Sequence, residues 1–270
     1  MSAFPPDSPL VSRVAPSPNH GERQGVAAPD SLILHYTGLR QADAEAWLSD
    51  PGGAALSWLR DPLSEVSSHY VVEPDGRILQ LVPEARRAWH AGRSAWRGRA
   101  DMNTCSIGVE IVNLGHSGGL PAFPDAQIAA LVALCRDICG RWSIAPERVL
   151  GHSDVAPDRK LDPGERFPWQ ALAAAGVGHW RPPATAGAGR AYGPGDEGQP
   201  VRALQAMFAL YGYHIPLTGV YDEATVNVVT AFQRHFRQAQ VDGVADPQTI
   251  ATLRDLIAAL RGSEAQGAYA

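Results

Sequence analysis

Between Arg181 and Pro200, proline, glycine and alanine accumulate and the hydrophobic periodicity of the chain disappears. Such a stretch is typical of a linker and contributes neither a strand nor a helix to a core. We therefore expect two folded units in the 270 residues, whose hydrophobic content of 45% allows a sizeable core. The predicted boundaries are a first domain at 1–180, a linker at 181–200, a second domain at 201–262 and a tail at 263–270.

The first domain shows strand and helix patterns that predict an α/β fold. After an extended N-terminal segment at 1–30, short apolar runs have the composition of strands, and the turn PDG at 74–76 indicates a hairpin. Helical spacing predicts two short helices at 41–60, an amphipathic helix at Asp125–Trp142 and a last short helix at 167–175. We expect a central mixed β-sheet flanked by helices.

The second domain is predicted to be a small C-terminal three-helix domain. Its helical segments are Val201–Tyr211, Asp222–Phe236 and Asp246–Leu260. Asp222 and Asp246 have the chemistry of N-caps, and Pro247 suits the first turn of the third helix. The sequences TGVYDEAT and VDGVADPQT, which precede the second and third helices, are near copies of one turn and cap pattern. This similarity indicates an internal duplication.

The segment from Val149 to Trp169 concentrates ionisable side chains on a backbone that three prolines restrict. Ionisable groups on such a loop are typical of a functional site. His152 follows the apolar pair Val149-Leu150 and a glycine, as expected of a side chain delivered from the end of a strand, and Asp162 lies ten residues further on. One imidazole and one carboxylate are two of the three protein ligands that a catalytic zinc site needs.

A second imidazole is available at His35, where the strand-like run SLILHYT ends. Two strand ends presenting His35 and His152, with Asp162 folding back, would complete a His, His, Asp set. The alternative is that each is an ordinary half-buried histidine, since the chain has nine. Glu110 lies inside a predicted strand at 106–112. Burying an unpaired carboxylate costs on the order of several kcal/mol, so Glu110 is either paired or used as a base.

Four segments of the first domain carry a family resemblance in the order SLILHYTG, SSHYVVEPDGRILQLVPEARRAWHAGRS, NTCSIGVEIVN and GHSDVAPDRKLDPGERFPW. Together they resemble the zinc-dependent N-acetylmuramoyl-L-alanine amidases of the type 2 family, whose fold is shared by peptidoglycan recognition proteins. The resemblance runs over roughly residues 15–175. It implies a hydrolase of bacterial cell-wall material.

The resemblance also implies roles for individual residues. It implies one zinc ion per chain with His35, His152 and Asp162 as ligands, and catalytic roles for Glu110 and Lys160. Such a site lowers the pKa of its water to about 7. Glu110 would take the proton as water attacks the amide between the muramic lactyl carbonyl and L-alanine, and Lys160 would hold the oxyanion. The candidate substrate-binding residues are His69, His90, Asn103 and Arg159.

Several of these candidates have a structural alternative. His69 could face either the core or the cleft, and the pair Trp89-His90 could simply cover a sheet edge. Arg159 could clamp a stem-peptide carboxylate or be exposed to solvent. Lys160 is the only lysine, since the other 22 basic positions are arginine. This choice indicates a need for a compact ammonium, with chance as the alternative.

The second domain resembles the three-helix peptidoglycan-binding domain often attached to cell-wall hydrolases, and a helical dimerisation module is the alternative. The function implied for the whole chain is hydrolysis of the muramic acid to L-alanine amide in peptidoglycan or (anhydro)muropeptides, for cell-wall turnover or recycling. A non-catalytic peptidoglycan receptor and a zinc peptidase that cuts the stem peptide are the alternatives. If the second domain only targets the enzyme, a chain ending near Trp180 should still cut soluble muropeptides.

Charge and cysteine content exclude other classes. A net charge of -5 gives no reason to expect nucleic acid or anionic membrane as a partner. Three cysteines cannot all pair, and Cys135 and Cys139 fit small buried hydrophobes better than a disulfide scaffold.

Residues 1–30 lack the apolar run of about 7–15 residues that a signal peptide contains. We expect a monomer without a membrane span, in the cell envelope, where a wall-binding domain finds its polymer, or in the cytoplasm if Met1 is the native start.

Overall fold

The computed structural model describes residues 4–40, 44–185 and 187–267, with side chains described as far as Leu260. The strands in these ranges are β1 (Arg13–Val14), β2 (His20–Glu22), β3 (Ser31–Tyr36), β4 (Tyr70–Val72), β5 (Ile78–Gln80), β6 (Arg86–Ala88), β7 (Ala95–Trp96), β8 (Arg99–Ala100), β9 (Ser106–Ile111) and β10 (Val149–Gly151). The helices are α1 (Ala44–Ser49), α2 (Pro51–Arg60), α3 (Met102–Cys105), α4 (Asp125–Trp142), α5 (His152–Val155), α6 (Trp169–Ala174), α7 (Gln199–Tyr211), α8 (Glu223–Phe236) and α9 (Pro247–Gly267). None of the described helices has the length and apolar character needed to span a membrane.

Six strands form one mixed sheet in the order β1-β5-β4-β9-β3-β10. The β4 and β5 strands pair antiparallel as the predicted hairpin, and the other neighbours pair parallel. The central strands β3 and β9 are buried at nearly every position, as expected for parallel strands that are covered on both faces. The predicted α/β fold with a central mixed sheet is confirmed.

The two faces of the central strands carry different side chains because residues alternate along a strand. One face presents Leu32, Leu34, Ile107, Val109 and Ile111. These side chains pack against α4, which has the predicted bounds, and against α6. Cys135 lies buried in this core and all three cysteines are free, as the sequence led us to expect. The opposite face presents Ile33, His35 and Glu110.

The C-terminal half contains the three predicted helices with the predicted caps. The Asp222 carboxylate accepts a hydrogen bond from the Thr225 N–H at 3.0 Å, and the Asp246 carboxylate accepts one from the Thr249 N–H at 2.8 Å. Two bounds differ from the prediction: α7 begins at Gln199, and α9 continues to Gly267. The predicted tail therefore begins inside a helix, and 268–270 lie outside the described residues.

The helical half packs directly on the sheet domain. One apolar core joins Ile33, Trp96, Leu150 and Val155 of the first half to the helical half, which contributes Leu204, Phe208, Tyr213, Phe232 and Phe236. The Trp96 ring lies so close to Gly212 that a Cβ there would approach it to 2.6 Å, and Gly212 has a φ of 147°. The predicted linker also contributes structure, since Tyr192 and Ala245 exchange two backbone hydrogen bonds. The two halves thus share a core, while the predicted domain boundaries themselves stay a prediction.

Candidate metal centre and active site

Strand pairing brings the two histidines and Glu110 to one edge of the sheet. His35 is the fifth residue of β3 and lies directly opposite Glu110 in β9. The β10 strand pairs parallel with β3, and His152 follows it as the first residue of α5. Because the carboxyl ends of parallel strands meet at the same edge, these side chains converge there. Asp162 returns to this edge through the backbone hydrogen bond from the Ser153 N–H to the Asp162 carbonyl, at 2.9 Å.

Three ligand atoms meet at the centre of this edge. The Nδ1 atoms of His35 and His152 are 2.9 Å apart, and each lies 3.0 Å from Oδ2 of Asp162. All three side chains are buried, with 1%, 2% and 6% exposure respectively. In the described part of the chain, this is the group of His, Cys, Asp and Glu side chains that could hold a metal ion.

The other ring nitrogens of the histidines fix how protons are distributed. His152 Nε2 lies 3.1 Å from the Ala91 carbonyl, which can only accept a hydrogen bond, so Nε2 carries the proton and Nδ1 presents a lone pair. His35 Nε2 lies 3.0 Å from His90 Nδ1, and His90 Nε2 lies 3.2 Å from Ser106 Oγ. Ser106 in turn donates to the Met102 carbonyl at 2.5 Å, so a chain of donors running outward from His35 Nε2 is consistent at every link.

This donor set fits a zinc ion. Two Nδ1 lone pairs and one carboxylate oxygen within about 3 Å repel one another unless a proton or a cation lies between them. Two neutral imidazoles and a carboxylate are a known ligand set of catalytic zinc sites, in which hydrogen bonds from the outer ring nitrogens fix the tautomer and orientation of each imidazole. The predicted ligands His35, His152 and Asp162 therefore lie together, and their donor atoms are of the kind that zinc binds.

Burial and mutual contact keep two of these ligands deprotonated near neutral pH. Burial, reinforced by the neighbouring His152, lowers the pKa of His35 to about 4. Burial by itself would raise the pKa of Asp162, but contacts with His152 and His35 outweigh it and hold that pKa well below its usual range. A metal ion would therefore meet a neutral imidazole and an ionised carboxylate without first having to displace protons from them.

Glu110 and Lys160 lie at the same cavity as the ligands. Burial raises the pKa of Glu110 well above its usual range, and the Asp162 carboxylate adds to this. Glu110 Oε2 is buried and makes no hydrogen bond within the described residues. A carboxylate without a partner is available as a base. This favours the interpretation of Glu110 as a base over that of Glu110 as one member of a structural pair. Lys160 also lines the cavity.

The cavity itself has a volume of about 150 Å³. It is lined by His35, Tyr36, Thr37, Trp58, Leu59, Val66, Ser67, Trp89, His90, Glu110, His152, Lys160 and Asp162. Pockets that enclose a drug-sized ligand measure about 300–1,000 Å³, so this one admits a scissile bond and its immediate substituents. A larger substrate has to continue over the rim.

Of the four predicted substrate-binding residues, His90 is the one that lines the cavity. The prediction for His69 is corrected: its ring is fully buried, with Nδ1 accepting from the Gly108 N–H at 2.9 Å and Nε2 facing the Arg86 carbonyl at 3.0 Å. Asn103 is corrected too, because its side-chain oxygen accepts the backbone N–H groups of His90 and Ala91. Asn103 therefore shapes the backbone that carries His90.

The Arg159 side chain is exposed, and its predicted role as a carboxylate clamp stays a prediction. Its guanidinium donates to the backbone carbonyls of Ala91 and Arg93, and it does not line the cavity. A guanidinium used in this way ties the loop that carries Lys160 to the segment after His90.

Tyr36 is a cavity residue that the sequence interpretation missed. Its ring lines the cavity, and its hydroxyl lies 2.9 Å from His116 Nδ1. His116 Nε2 lies 3.0 Å from the Glu165 carboxylate, which fixes the orientation of the imidazole. The position of Tyr36 directly after His35 at a strand end was a usable signal, whereas the contact with His116, 80 residues away, was not.

Comparisons with known proteins agree with this geometry. Residues 25–165 match the family described as N-acetylmuramoyl-L-alanine amidase, and residues 197–253 match the putative peptidoglycan binding domain. The chain is 40% identical over 238 residues to the N-acetylmuramoyl-L-alanine amidase AmiD of Escherichia coli (strain K12), covering 84% of this chain and 81% of that protein.

Two solved structures are similar over most of their length. One is AmiD from E. coli in complex with the substrate anhydro-N-acetylmuramic acid-L-Ala-D-gamma-Glu-L-Lys, with a TM-score of 0.70, 36% identity, and coverage of 88% of this chain and 97% of that one. The other is AmpDh3 from Pseudomonas aeruginosa in complex with anhydromuramic pentapeptide, with a TM-score of 0.65, 32% identity, and coverage of 88% and 92%.

Proposed function

The chain belongs to the N-acetylmuramoyl-L-alanine amidase family, and on that premise we propose that it is a zinc enzyme acting on muropeptides at the site of His35, His152 and Asp162. It hydrolyses the amide between the lactyl group of N-acetylmuramic acid and L-alanine. The observation that carries the assignment of the metal is the convergence of two imidazole lone pairs and a carboxylate oxygen within 3.0 Å of one another. Zinc in such a site supplies Lewis acidity and a water with a pKa of about 7.

Glu110 moves the proton in this proposal. As water attacks the amide carbonyl, Oε2 of Glu110 accepts a proton and later returns it to the departing amine of L-alanine. The buried position supports this role, because burial raises the pKa of Glu110 and so makes the carboxylate a better base.

Lys160 stabilises charge in this proposal. Its ammonium makes no hydrogen bond or ion pair with another residue in the part of the chain that the structure describes, and its side chain lines the cavity. A donor that is not committed to the protein can bind the carbonyl oxygen as negative charge develops on it. These two observations support Lys160 as the oxyanion donor.

The rim of the cavity supports a muropeptide substrate. The enclosed volume admits only the scissile amide, so the sugar and the stem peptide have to extend outward. Trp58 and Trp89 both line the cavity and offer aromatic surface for a sugar ring. Since AmiD and AmpDh3 have been solved in complex with anhydromuramic peptides, we infer that soluble anhydromuropeptides are substrates of this chain as well.

The peptidoglycan-binding match suggests where the enzyme works. A domain that binds polymeric wall is useful in the cell envelope, so we propose that location. Fractionation of cells that express the native gene product tests it. Recovery with the envelope fraction supports the proposal, and recovery with the cytoplasmic fraction contradicts it.

Mass analysis of the products from one defined anhydromuropeptide tests the reaction. Free anhydromuramic sugar together with the intact peptide is expected. A shortened peptide still attached to the sugar would identify a peptidase, and unchanged substrate under conditions of saturating zinc would identify a receptor. Glu110→Gln serves as the matched control, because it keeps the shape of the side chain and removes the base.

A further inference from the structure

Residues 152–167, which we call the site loop, carry His152, Lys160 and Asp162. The helical half touches this loop at both ends. Near its start, Asp154 is 1% exposed although it is a carboxylate. Burying such a group is unfavourable unless strong hydrogen-bond donors surround it. The origin of its donors therefore matters.

Two of the three donors to Asp154 come from the helical half. Oδ1 accepts the Tyr213 hydroxyl at 2.6 Å, and Oδ2 accepts Nδ1–H of His235 at 2.7 Å. The third donor is the Gly151 N–H at 2.7 Å from Oδ2, which ties the carboxylate to the residue just before His152. Asp154 thus connects the helical half to the α5 turn that begins with a metal ligand.

Both outside donors are fixed in place. The His235 ring stacks on Trp169 with a centroid distance of 3.6 Å and an interplanar angle of 17°. The Tyr213 ring packs edge to face on Trp96 at 4.9 Å. Donors with restricted rotamers define a position for the carboxylate, because they lose little entropy when they bind it.

The end of the site loop is held by the same region of the helical half. The Gln238 side-chain amide donates to the backbone carbonyls of Glu165 at 2.8 Å and Phe167 at 2.7 Å. Within the loop, the Ser153 N–H donates to the Asp162 carbonyl, so a shift of α5 moves both His152 and Asp162. The loop is therefore clamped at two points with its ligands between them.

We propose that Tyr213 and His235 are positioning residues of the amidase, acting through Asp154 to hold His152 and Asp162 in register for the metal. This inference rests on the proposed function. It makes the helical half part of the catalytic machinery, in addition to any role in wall binding. The interface between the helical half and the sheet domain is then required for a complete metal site.

Two matched tyrosine variants of the full chain test this. Tyr213→Phe removes the donor to Asp154, whereas Tyr211→Phe removes a hydroxyl that lies 2.9 Å from His179 at the same interface. Zinc affinity is measured by competition with a chromophoric chelator, and kcat and KM are measured on an anhydromuropeptide. Tyr213→Phe is expected to weaken zinc binding and lower kcat by roughly tenfold each with little change in KM, while Tyr211→Phe stays at wild-type values. Equal behaviour of the two variants overturns the proposal.

A second pair of variants separates the hydrogen bond from the stacking. His235→Phe keeps a ring over Trp169 and removes the donor, whereas His235→Asn keeps a donor close to the Nδ1 position and removes the ring. Zinc affinity should be better preserved in His235→Asn, and the reverse order contradicts the inference. If the wild-type chain binds zinc but cleaves no muropeptide, the proposed function fails, and the zinc affinities still decide this inference.

Discussion

At the scale of one residue, a variant of Lys160 can distinguish stabilisation of charge in the transition state from binding of the substrate. If it acts on charge that develops only in the transition state, Lys160→Ala should lower kcat about 10²–10³-fold, with KM and zinc content unchanged. Steady-state kinetics on a soluble anhydromuropeptide measure this. A fully active Lys160→Ala enzyme would remove Lys160 from the mechanism.

Lys160→Arg is the matched control. Arginine keeps the charge but spreads it over a wider plane, so we expect only part of the lost rate to return. Full activity in Lys160→Arg would leave the electrostatic role intact and would show that the chain's single lysine is not a requirement of geometry.

The buried ring of His69 should make the stability of the fold depend on pH. Burial, reinforced by Arg23, lowers the pKa of His69 to about 3, so the folded state keeps the ring neutral. In the unfolded chain the pKa returns to about 6.5. Stability is then fully present above pH 6.5 and is lost as pH falls from there towards 3, because the unfolded state binds the extra proton.

We therefore expect the unfolding free energy of His69→Gln to depend less on pH than that of the wild type between pH 6.5 and 4. The limit of the difference is roughly 1.4 kcal/mol per pH unit for one proton. Denaturant titrations at several pH values measure the two slopes. Identical slopes would mean that His69 is not the buried neutral group that the structure presents.

At the scale of elements, the convergence of His35 and His152 could be predicted, and the burial of His69 and Asn103 away from the cavity could not. His35 and His152 end apolar runs, and parallel strands bring such ends together, so local sequence carries the information. His69 and Asn103 lie beside equally suggestive motifs, but their partners, Gly108 and the backbone of His90, depend on pairings between distant segments. No local pattern distinguishes a side chain that faces the cleft from one that supports it from behind.

The predicted duplication of the helical half appears as two equivalent buried glutamines. Gln205 accepts the Gly219 N–H and donates to the Val220 carbonyl, and Gln233 makes the same pair of bonds with Gly243 and Val244. Each glutamine thereby closes the turn before the next helix. The near copies in the sequence are therefore near copies in hydrogen bonding.

Gln233→Leu should lower the unfolding free energy by about 1–3 kcal/mol, because the N–H groups of Asp242 and of the buried Gly243 lose their acceptor. Thermal and denaturant unfolding measure the change. Gln240→Leu, on an exposed side chain in the same region, is the control and should stay within about 0.5 kcal/mol of wild type. Equal stability of both variants would contradict the closing role of Gln233.

At the scale of the whole molecule, the structure argues against a helical half that serves only as a targeting module. A chain ending at Trp180 would expose Trp96, Leu150 and Val155, which are at most 2% exposed in the intact protein. It would also leave the Asp154 carboxylate without two of its donors. The composition of 181–200 predicts a linker, but composition carries no information on whether two units share a core.

We therefore expect the chain truncated after Trp180 to aggregate or to bind zinc weakly, and to lose most activity on soluble muropeptides. Size-exclusion chromatography and turnover of an anhydromuropeptide measure both effects. A monomeric truncated chain with the kcat of the full chain would mean that the shared core is dispensable for catalysis.

The zinc content of wild-type protein and of Asp162→Ala, measured side by side after exhaustive dialysis, tests the metal centre most directly. The carboxylate oxygen of Asp162 is one of the three candidate ligand atoms, and its loss leaves two imidazoles without an anionic partner. The wild type should retain one zinc per chain, and Asp162→Ala should retain almost none and be inactive. Stoichiometric zinc in Asp162→Ala would contradict the assignment of His35, His152 and Asp162 as the metal site.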